Sequence, residues 1–194
     1  PLTLAWEADI TTGMGNGSPI VIDSVVIVTN LRGELYAINA NNGKRIGWVT
    51  VGEAMHGSPV IDRNIAYMTS ANERESVIAF DLLEGKTLWK QEYGDIEVTP
   101  LLFNEKLYFG NTAGTFFCID KEKGELEWKY RLQENIQRKG IRSSATVSDG
   151  LIIFGAEDAT IYALDAKYGT EKWSYNTMAP IFASPSVNNG VVFC

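Results

Sequence analysis

Short apolar runs alternate with glycine, asparagine and aspartate along this chain. The runs are rich in Val, Ile, Tyr, Phe and Trp, which is typical of strands joined by tight turns. No stretch combines helical periodicity with capping residues at both ends. In the first complete unit the runs are Ile20–Ile22, Val25–Thr29, Leu35–Asn39 and the residues around Trp48. The pattern predicts an all-β chain with four antiparallel strands in each unit.

The spacing of the tryptophans shows that these units are repeats. All five tryptophans lie at intervals of 42, 41, 39 and 45 residues, and a glycine and an Asn or Asp keep step with four of them. A fixed period near 40 with four strands per period predicts the blades of a β-propeller. The marker residues are Trp6, Trp48, Trp89, Trp128 and Trp173; Gly43, Gly85, Gly124 and Gly169; and Asn39, Asp81, Asp120 and Asp165.

Each marker has a physical role in such a blade. The Asp or Asn that ends the third strand can accept hydrogen bonds from backbone N–H groups of the next turn. The glycine four residues later can adopt a positive φ. The tryptophan then lies on the outer strand, where its flat ring is expected to cover the seam between two blades.

We expect residues 1–194 to form a single, partial propeller domain. The whole blades are predicted at about 17–51, 57–93, 98–132 and 143–176, with partial blades at 1–10 and 183–194. Leu4–Ala8, around Trp6, is predicted to be the final strand of the first partial blade.

The number of repeats predicts an open ring. An eight-bladed wheel needs about 320 residues at this period, so the four whole blades are expected to be about half of a seven- or eight-bladed propeller. We favour a native protein that is longer than this chain. A homodimer that pairs two half-rings through their open blade faces is the alternative, and closure as a five-bladed ring is the least favoured arrangement.

Composition and charge exclude some classes of function. The net charge is −7 and the isoelectric point about 4.8, which disfavours nucleic acid as a partner because phosphate binding needs a basic face. No run approaches the roughly 18 apolar residues of a membrane helix. Cys118 takes the position of Ala37, Ala79 and Ala163 in the other repeats, which indicates a small buried residue rather than a disulfide or metal ligand.

The alanine position and the Asp or Asn, Gly and Trp that follow it form a repeat motif. This repeat motif resembles the PQQ-like (pyrroloquinoline quinone type) β-propeller repeat, Ala-x-Asp-x-x-x-Gly-x-x-x-Trp. The second, third and fourth units match it, with Cys118 in the alanine position of the third, and the first unit fits with one extra residue before Trp48. Quinoprotein dehydrogenases of this family carry the quinone on the propeller axis, with calcium, a catalytic Asp and often a disulfide between adjacent cysteines. Other members lack the cofactor and act as scaffolds or sensors. The absence of an adjacent cysteine pair here disfavours the dehydrogenase interpretation.

In such a propeller the first strand of each blade lines the axis, and the loops before these strands meet at one mouth of the channel. These loops are the predicted ligand surface, since loops on a rigid scaffold tend to carry function. His56 is the one histidine and is expected to have a packing or hydrogen-bonding role. Glu97 and Arg142 are expected to form an ion pair or to bind a charged group. The residues three before each proline position are Asn16, His56, Glu97, Arg142 and Phe182.

The loop between the third and fourth blades is a second candidate. From Trp128 to Ala145 the chain runs 17 residues, and residues 129–142 contain five basic side chains against the single acidic Glu134. This local excess of positive charge is either a solvated connector or a surface for an acidic partner. The residues predicted to bind a partner here are Arg131, Arg138 and Lys139.

The leading hypothesis is a non-catalytic PQQ-like propeller that binds or assembles protein or ligand partners, with no cofactor. The alternatives are part of a PQQ- and calcium-dependent dehydrogenase of alcohols or sugars, and the sensor domain of a kinase-like receptor. The resemblance implies a periplasmic, cell-surface or extracellular location. Nucleotide-binding glycine loops, Cys/His metal clusters and Gly-x-Ser-x-Gly elbows are absent from the sequence.

Overall fold

The computed structural model of the protein describes residues 3–72, 74–133 and 139–194, and all regular structure in these ranges is β-strand. Four sheets have four antiparallel strands each, ordered as in the chain, and a hairpin of two strands follows them. The predicted fold class, an all-β propeller with four-stranded antiparallel blades, is confirmed. The number of blades in a complete ring stays a prediction.

The blades are numbered in chain order. Blade 1 contains β1 (Ile20–Ile22), β2 (Val25–Thr29), β3 (Glu34–Asn39) and β4 (Arg45–Thr50). Blade 2 contains β5 (Val60–Asp62), β6 (Ile65–Thr69), β7 (Val77–Asp81) and β8 (Lys86–Gln91). Blade 3 contains β9 (Leu101–Phe103), β10 (Lys106–Gly110), β11 (Thr115–Asp120) and β12 (Leu126–Arg131). Blade 4 contains β13 (Thr146–Ser148), β14 (Leu151–Gly155), β15 (Thr160–Asp165) and β16 (Glu171–Asn176), and the final hairpin contains β17 (Ser186–Asn188) and β18 (Val191–Phe193).

The turn between the third and fourth strands has the predicted structure. In blade 3 the Oδ1 atom of Asp120 accepts hydrogen bonds from the N–H groups of Glu122 and Lys123, both at 2.9 Å. The N–H of Gly124 donates to the Asp120 carbonyl at 2.9 Å, with φ at 71°. Because only glycine adopts this conformation without steric cost, the Asp or Asn together with the glycine ends each third strand and sets the start of the fourth.

The hydrophobic core lies between neighbouring blades, which pack face to face. The second and third strands of each blade are largely buried, whereas the first and fourth are more exposed. Between blades 3 and 4 the rings of Phe116 and Phe154 stack with their centroids 4.1 Å apart. A single small sheet is marginal in water, so each blade depends on the next for its burial.

Three of the tryptophans close the outer part of these seams as predicted. The indole N–H of Trp6 donates to the carbonyl of Ala40 in blade 1 at 2.8 Å. The indole N–H of Trp89 donates to the backbone carbonyl of Lys121 at 3.2 Å, and that of Trp128 donates to the backbone carbonyl of Ala166 at 3.2 Å. Each ring therefore belongs to one repeat and binds the turn of the following one.

Two predictions about the tryptophan segments are wrong. Leu4–Ala8 is not a strand: these residues are mostly exposed and pair with no neighbouring strand in the described part of the chain, and a strand needs such a partner. Trp48 does not cover the seam after blade 1 either. Its side chain is 52% exposed and stacks on Tyr36, within its own blade.

Cys118 is a packing residue of the core between blades 3 and 4. Burial raises the pKa of its thiol to about 12, so the side chain is neutral and unreactive. Cys194 is exposed, and neither cysteine forms a disulfide. Across the described ranges, no helix has the length and apolar character needed to span a membrane.

Candidate functional site

A series of hydrogen bonds from backbone N–H groups to hydroxyl oxygens, which we call the hydroxyl chain, joins the inner ends of the blades. The N–H of Ser18 donates to Oγ of Ser58 at 2.7 Å, and the N–H of Ser58 donates to Oγ1 of Thr99 at 2.9 Å. The N–H of Thr99 donates to Oγ of Ser144, and that of Ser144 to Oγ of Ser184, both at 3.0 Å. The entries into β1, β5, β9 and β13 are thus each tied to the next unit, which fixes the loops around the mouth relative to one another.

Glycines allow the innermost backbones to touch at this ring. A Cβ atom at Gly57 would lie 2.5 Å from the carbonyl oxygen of Val98, and one at Gly17 would lie 3.0 Å from the Gly57 carbonyl. The contact at Gly57 is shorter than a Cβ atom tolerates, and the contact at Gly17 is tight, so a side chain at Gly57 would push blades 2 and 3 apart. The glycines therefore set how closely the blades approach the axis.

Glu97 and Arg142, both predicted site residues, lie together at the mouth. The Nη1 group of Arg142 donates to Oε2 of Glu97, and its Nε donates to Oε1 of Glu157 at 2.8 Å. All three side chains are half-buried. The guanidinium is therefore held between two carboxylates from two loops, and the cluster carries one net negative charge.

The other three predicted mouth residues do not join this cluster. The N–H of Asn16, whose side chain is exposed, donates to the carbonyl of His56 at 3.0 Å. His56 is half-buried, and the residue that pairs with Glu97 is Arg142. Phe182 is 57% exposed, and nearby in the chain Met178 is 94% exposed. The predicted mouth residues thus include an arginine neutralised by two carboxylates and an aromatic ring that faces solvent.

The basic loop between blades 3 and 4 is described only in part. Arg131, at the end of β12, is exposed, whereas Lys139 is half-buried. The backbone of Lys139 packs closely against Gly114, where a Cβ would lie 2.5 Å from the Lys139 carbonyl oxygen. Arg138, the third residue predicted to bind a partner, lies outside the described residues. The role of these three residues stays a prediction.

The absence of a quinone cofactor with calcium stays a prediction. A quinone with three carboxylates needs several free cationic donors, but Arg142 is already engaged by two carboxylates. Calcium takes six to eight oxygen ligands. In residues 3–72, 74–133 and 139–194, no group of three or more His, Cys, Asp or Glu side chains is placed to hold a metal ion.

Two features of the site were not predicted from the sequence. The first is the hydroxyl chain, although its signal is visible: a Ser or Thr stands directly before each proline position. The second is Glu157, which belongs to the loop between β14 and β15 and reaches Arg142 from a neighbouring turn. No spacing in the repeat places Glu157 at the mouth.

Comparisons with known proteins agree with this architecture. A structure of BamB from Moraxella catarrhalis aligns with a TM-score of 0.75 and 18% identity, over 91% of this chain and 54% of that chain. Outer membrane protein assembly factor BamB of Escherichia coli K12 is 26% identical over 149 residues, 76% of this chain and 36% of the relative. A quinohemoprotein alcohol dehydrogenase of Pseudomonas putida is 29% identical over 109 residues, 50% of this chain and 15% of the relative.

The chain therefore spans well under half the length of these two curated relatives. A family model described as outer membrane protein assembly factor BamB matches residues 3–102 and 73–193, which together cover nearly the whole chain. This chain belongs to that family of PQQ-like repeat proteins.

Proposed function

We propose that the protein is a non-catalytic binding platform that assembles with a protein partner through the mouth of the propeller, outside the cytoplasm. The observation that carries this proposal is the state of the mouth: Arg142 is neutralised by Glu97 and Glu157, whereas Phe182 exposes 57% of its surface. Exposed aromatic side chains on a rigid frame favour protein contacts, because a ring buries much area at small entropic cost.

The rigidity of the mouth also supports this role. The hydroxyl chain from Ser18 to Ser184 fixes successive loops, so a partner would bind a preformed surface. The family description and the E. coli relative name an assembly factor, not a catalyst. Arg131 and Lys139 of the basic loop would add attraction for an acidic partner.

The proposal is tested by capture of the partner in the native host. The whole protein that carries this chain is tagged, cross-linked in cells and purified, and the recovered partner is quantified by mass spectrometry. Phe182→Asp is expected to reduce recovery at least fivefold, since a charge at the rim opposes an apolar contact. Leu126→Asp is the matched control, because Leu126 is 47% exposed on the outer strand of blade 3.

Equal recovery for the parent, Phe182→Asp and Leu126→Asp would refute binding through the mouth. The urea midpoints of the three proteins should agree, which excludes unfolding as the cause of a loss. The dehydrogenase alternative has its own test: the purified whole protein is incubated with pyrroloquinoline quinone and calcium. A bound quinone absorbance with reduction of a dye would overturn the non-catalytic proposal.

A further inference from the structure

The seam between blades 1 and 2 lacks the tryptophan ring that fills three other seams, those occupied by Trp6, Trp89 and Trp128. A Cβ atom at Gly43, Gly124 or Gly169 would lie 2.7, 2.8 or 2.5 Å from ring atoms of the tryptophan of the preceding repeat. A Cβ at Gly85, the equivalent position in blade 2, would have nothing within 4 Å. The tryptophan position between blades 1 and 2 is therefore open.

The cause is the extra residue before Trp48. In blades 2, 3 and 4 the residue opposite the alanine position is the tryptophan, as in the pairing of Ala79 with Trp89. In blade 1 Ala37 pairs with Gly47 instead, and Trp48 pairs with Tyr36. Because side chains alternate between the faces of a strand, this one-residue shift turns Trp48 away from blade 2.

The result is an open apolar crevice of about 260 Å³, which we call the seam crevice. Its wall includes Ile27, Ala37, Gly47, Phe80, Leu82 and Gly85. Ile27 occupies the position of Tyr67 and Tyr108 in the next two blades, so this seam lacks a second ring as well. A second depression of about 440 Å³ continues along the same seam, sharing Ile27, Ala37, Ile46 and Leu82 with the first.

The seam crevice also keeps the hydrogen-bond acceptor that an indole uses. At the filled seams the indole N–H donates to the residue that follows the conserved Asn or Asp, namely Ala40, Lys121 and Ala166. Leu82 follows Asp81 and is the equivalent residue in blade 2. In the described part of the chain its carbonyl receives no indole donor, since Trp48 lies on the other face of blade 1.

We propose that the seam crevice is a docking site for a tryptophan side chain of a protein partner. The three filled seams define this occupant: an apolar slot against a turn glycine, with a carbonyl that accepts from the indole N–H. Open apolar slots of this kind mark interaction sites, and buried aromatic anchors contribute most to protein interfaces. The inference rests on the proposed platform role, to which it adds a second contact surface on the outer side of the propeller.

The first test measures the binding of a tryptophan analogue to the seam crevice. The whole protein is labelled at its Ile and Leu methyl groups and titrated with N-acetyl-tryptophanamide. Saturable chemical-shift changes are expected at Ile27, Ile46 and Leu82. The analogue methylated at the indole nitrogen is expected to bind at least threefold more weakly, since it cannot donate to the Leu82 carbonyl. N-acetyl-leucinamide, which lacks a ring, should cause no saturable change.

Gly47→Trp is the variant that should block the seam crevice. A Cβ at Gly47 would have nothing within 4 Å, so an indole can be placed there to fill the slot from within. This variant is expected to lose the probe response, whereas Gly47→Ala, which leaves the slot open, should keep it. No response in the parent protein, or an equal response in Gly47→Trp, would overturn the proposal. If a segment of the protein's own chain occupied the crevice, the parent protein would show no response to the probe.

Partner capture separates this inference from the platform role. If Gly47→Trp recovers at least fivefold less partner and Gly47→Ala recovers the parental amount, the crevice contacts that partner. If Gly47→Trp and the parent recover the same amount, the crevice inference fails while the platform proposal stands. If the parent recovers no partner, the platform proposal fails, and with it the assignment of the crevice to a protein partner, even where the probe binds.

Discussion

The indole of Trp128 lies against Gly169 of the next blade, and a Cβ atom on that glycine would lie 2.5 Å from the ring carbons Cδ2 and Cε3. The Trp and Gly of the repeat motif thus serve two different blades: Gly43, Gly124 and Gly169 each receive the tryptophan of the preceding repeat, whereas Gly85 receives none. The periodic Trp and Gly residues therefore indicate contacts between neighbouring blades, and these contacts make the stability of one blade depend on the next.

Gly169→Ala is expected to destabilise the fold more than Gly85→Ala. Both glycines have a positive φ, at 67° and 65°, so both variants lose about 1 kcal/mol to the same backbone strain. Only Gly169→Ala also forces Trp128 out of the seam, which raises its total cost to about 3 kcal/mol. Urea denaturation of the two variants gives the difference. Equal losses would show that the tryptophan contact contributes nothing beyond the turn.

Trp128→Phe is expected to lower the free energy of unfolding by about 1–2 kcal/mol, because it deletes the hydrogen bond to Ala166 and part of the buried ring. Trp48→Phe is the matched substitution, since Trp48 is 52% exposed and covers no seam. Its cost should stay within about 0.5 kcal/mol. Denaturation curves followed by circular dichroism compare the two. A larger loss for Trp48→Phe would contradict the flipped position of its ring.

The repeat architecture could be predicted because the same local chemistry recurs. An Asp that accepts from the next turn, as Asp120 does, and a glycine with a positive φ are properties of a few adjacent residues, which a sequence displays directly. The misplaced Trp48 shows the limit of this reasoning. The extra residue before it is visible in the sequence, but its effect depends on strand register, where one position changes the face of the sheet.

The site was harder to predict, because it is assembled from residues far apart in the chain. Counting back from the proline positions placed Glu97 and Arg142 on the same mouth, where the structure brings them together. The same rule could not find Glu157, which reaches Arg142 from a turn after a second strand. The hydroxyl chain could not be predicted from the repeat alone, because each of its hydrogen bonds joins a backbone N–H of one blade to a hydroxyl oxygen of the next.

Ser144→Ala is expected to destabilise the protein by about 1–2 kcal/mol, because it leaves the N–H of the half-buried Thr99 without its hydroxyl acceptor. Hydrogen exchange should accelerate at the Thr99 amide. Ser184→Ala removes the same kind of bond, to the Ser144 N–H, from an exposed hydroxyl, and its cost should be smaller because water can replace the hydroxyl. Unchanged exchange at Thr99 would show that the chain does not hold the blades together.

The ion pair between Asp62 and Lys121, which joins blades 2 and 3, is expected to make stability depend on pH. The Lys121 ammonium lies 2.6 Å from the carboxylate and lowers the pKa of Asp62 below its ordinary value of 3.8. The unfolded chain then binds the proton more tightly, so the pair stabilises the fold above about pH 4 and loses this effect as pH falls through the lowered pKa. Asp62→Asn should therefore be less stable than the parent at pH 7, by a margin that shrinks towards pH 3. Urea midpoints across this range measure the margin, with Glu84→Gln as a control that removes an exposed ion pair of little expected effect. A margin that is constant with pH would show that Lys121 does not hold this carboxylate in its charged form.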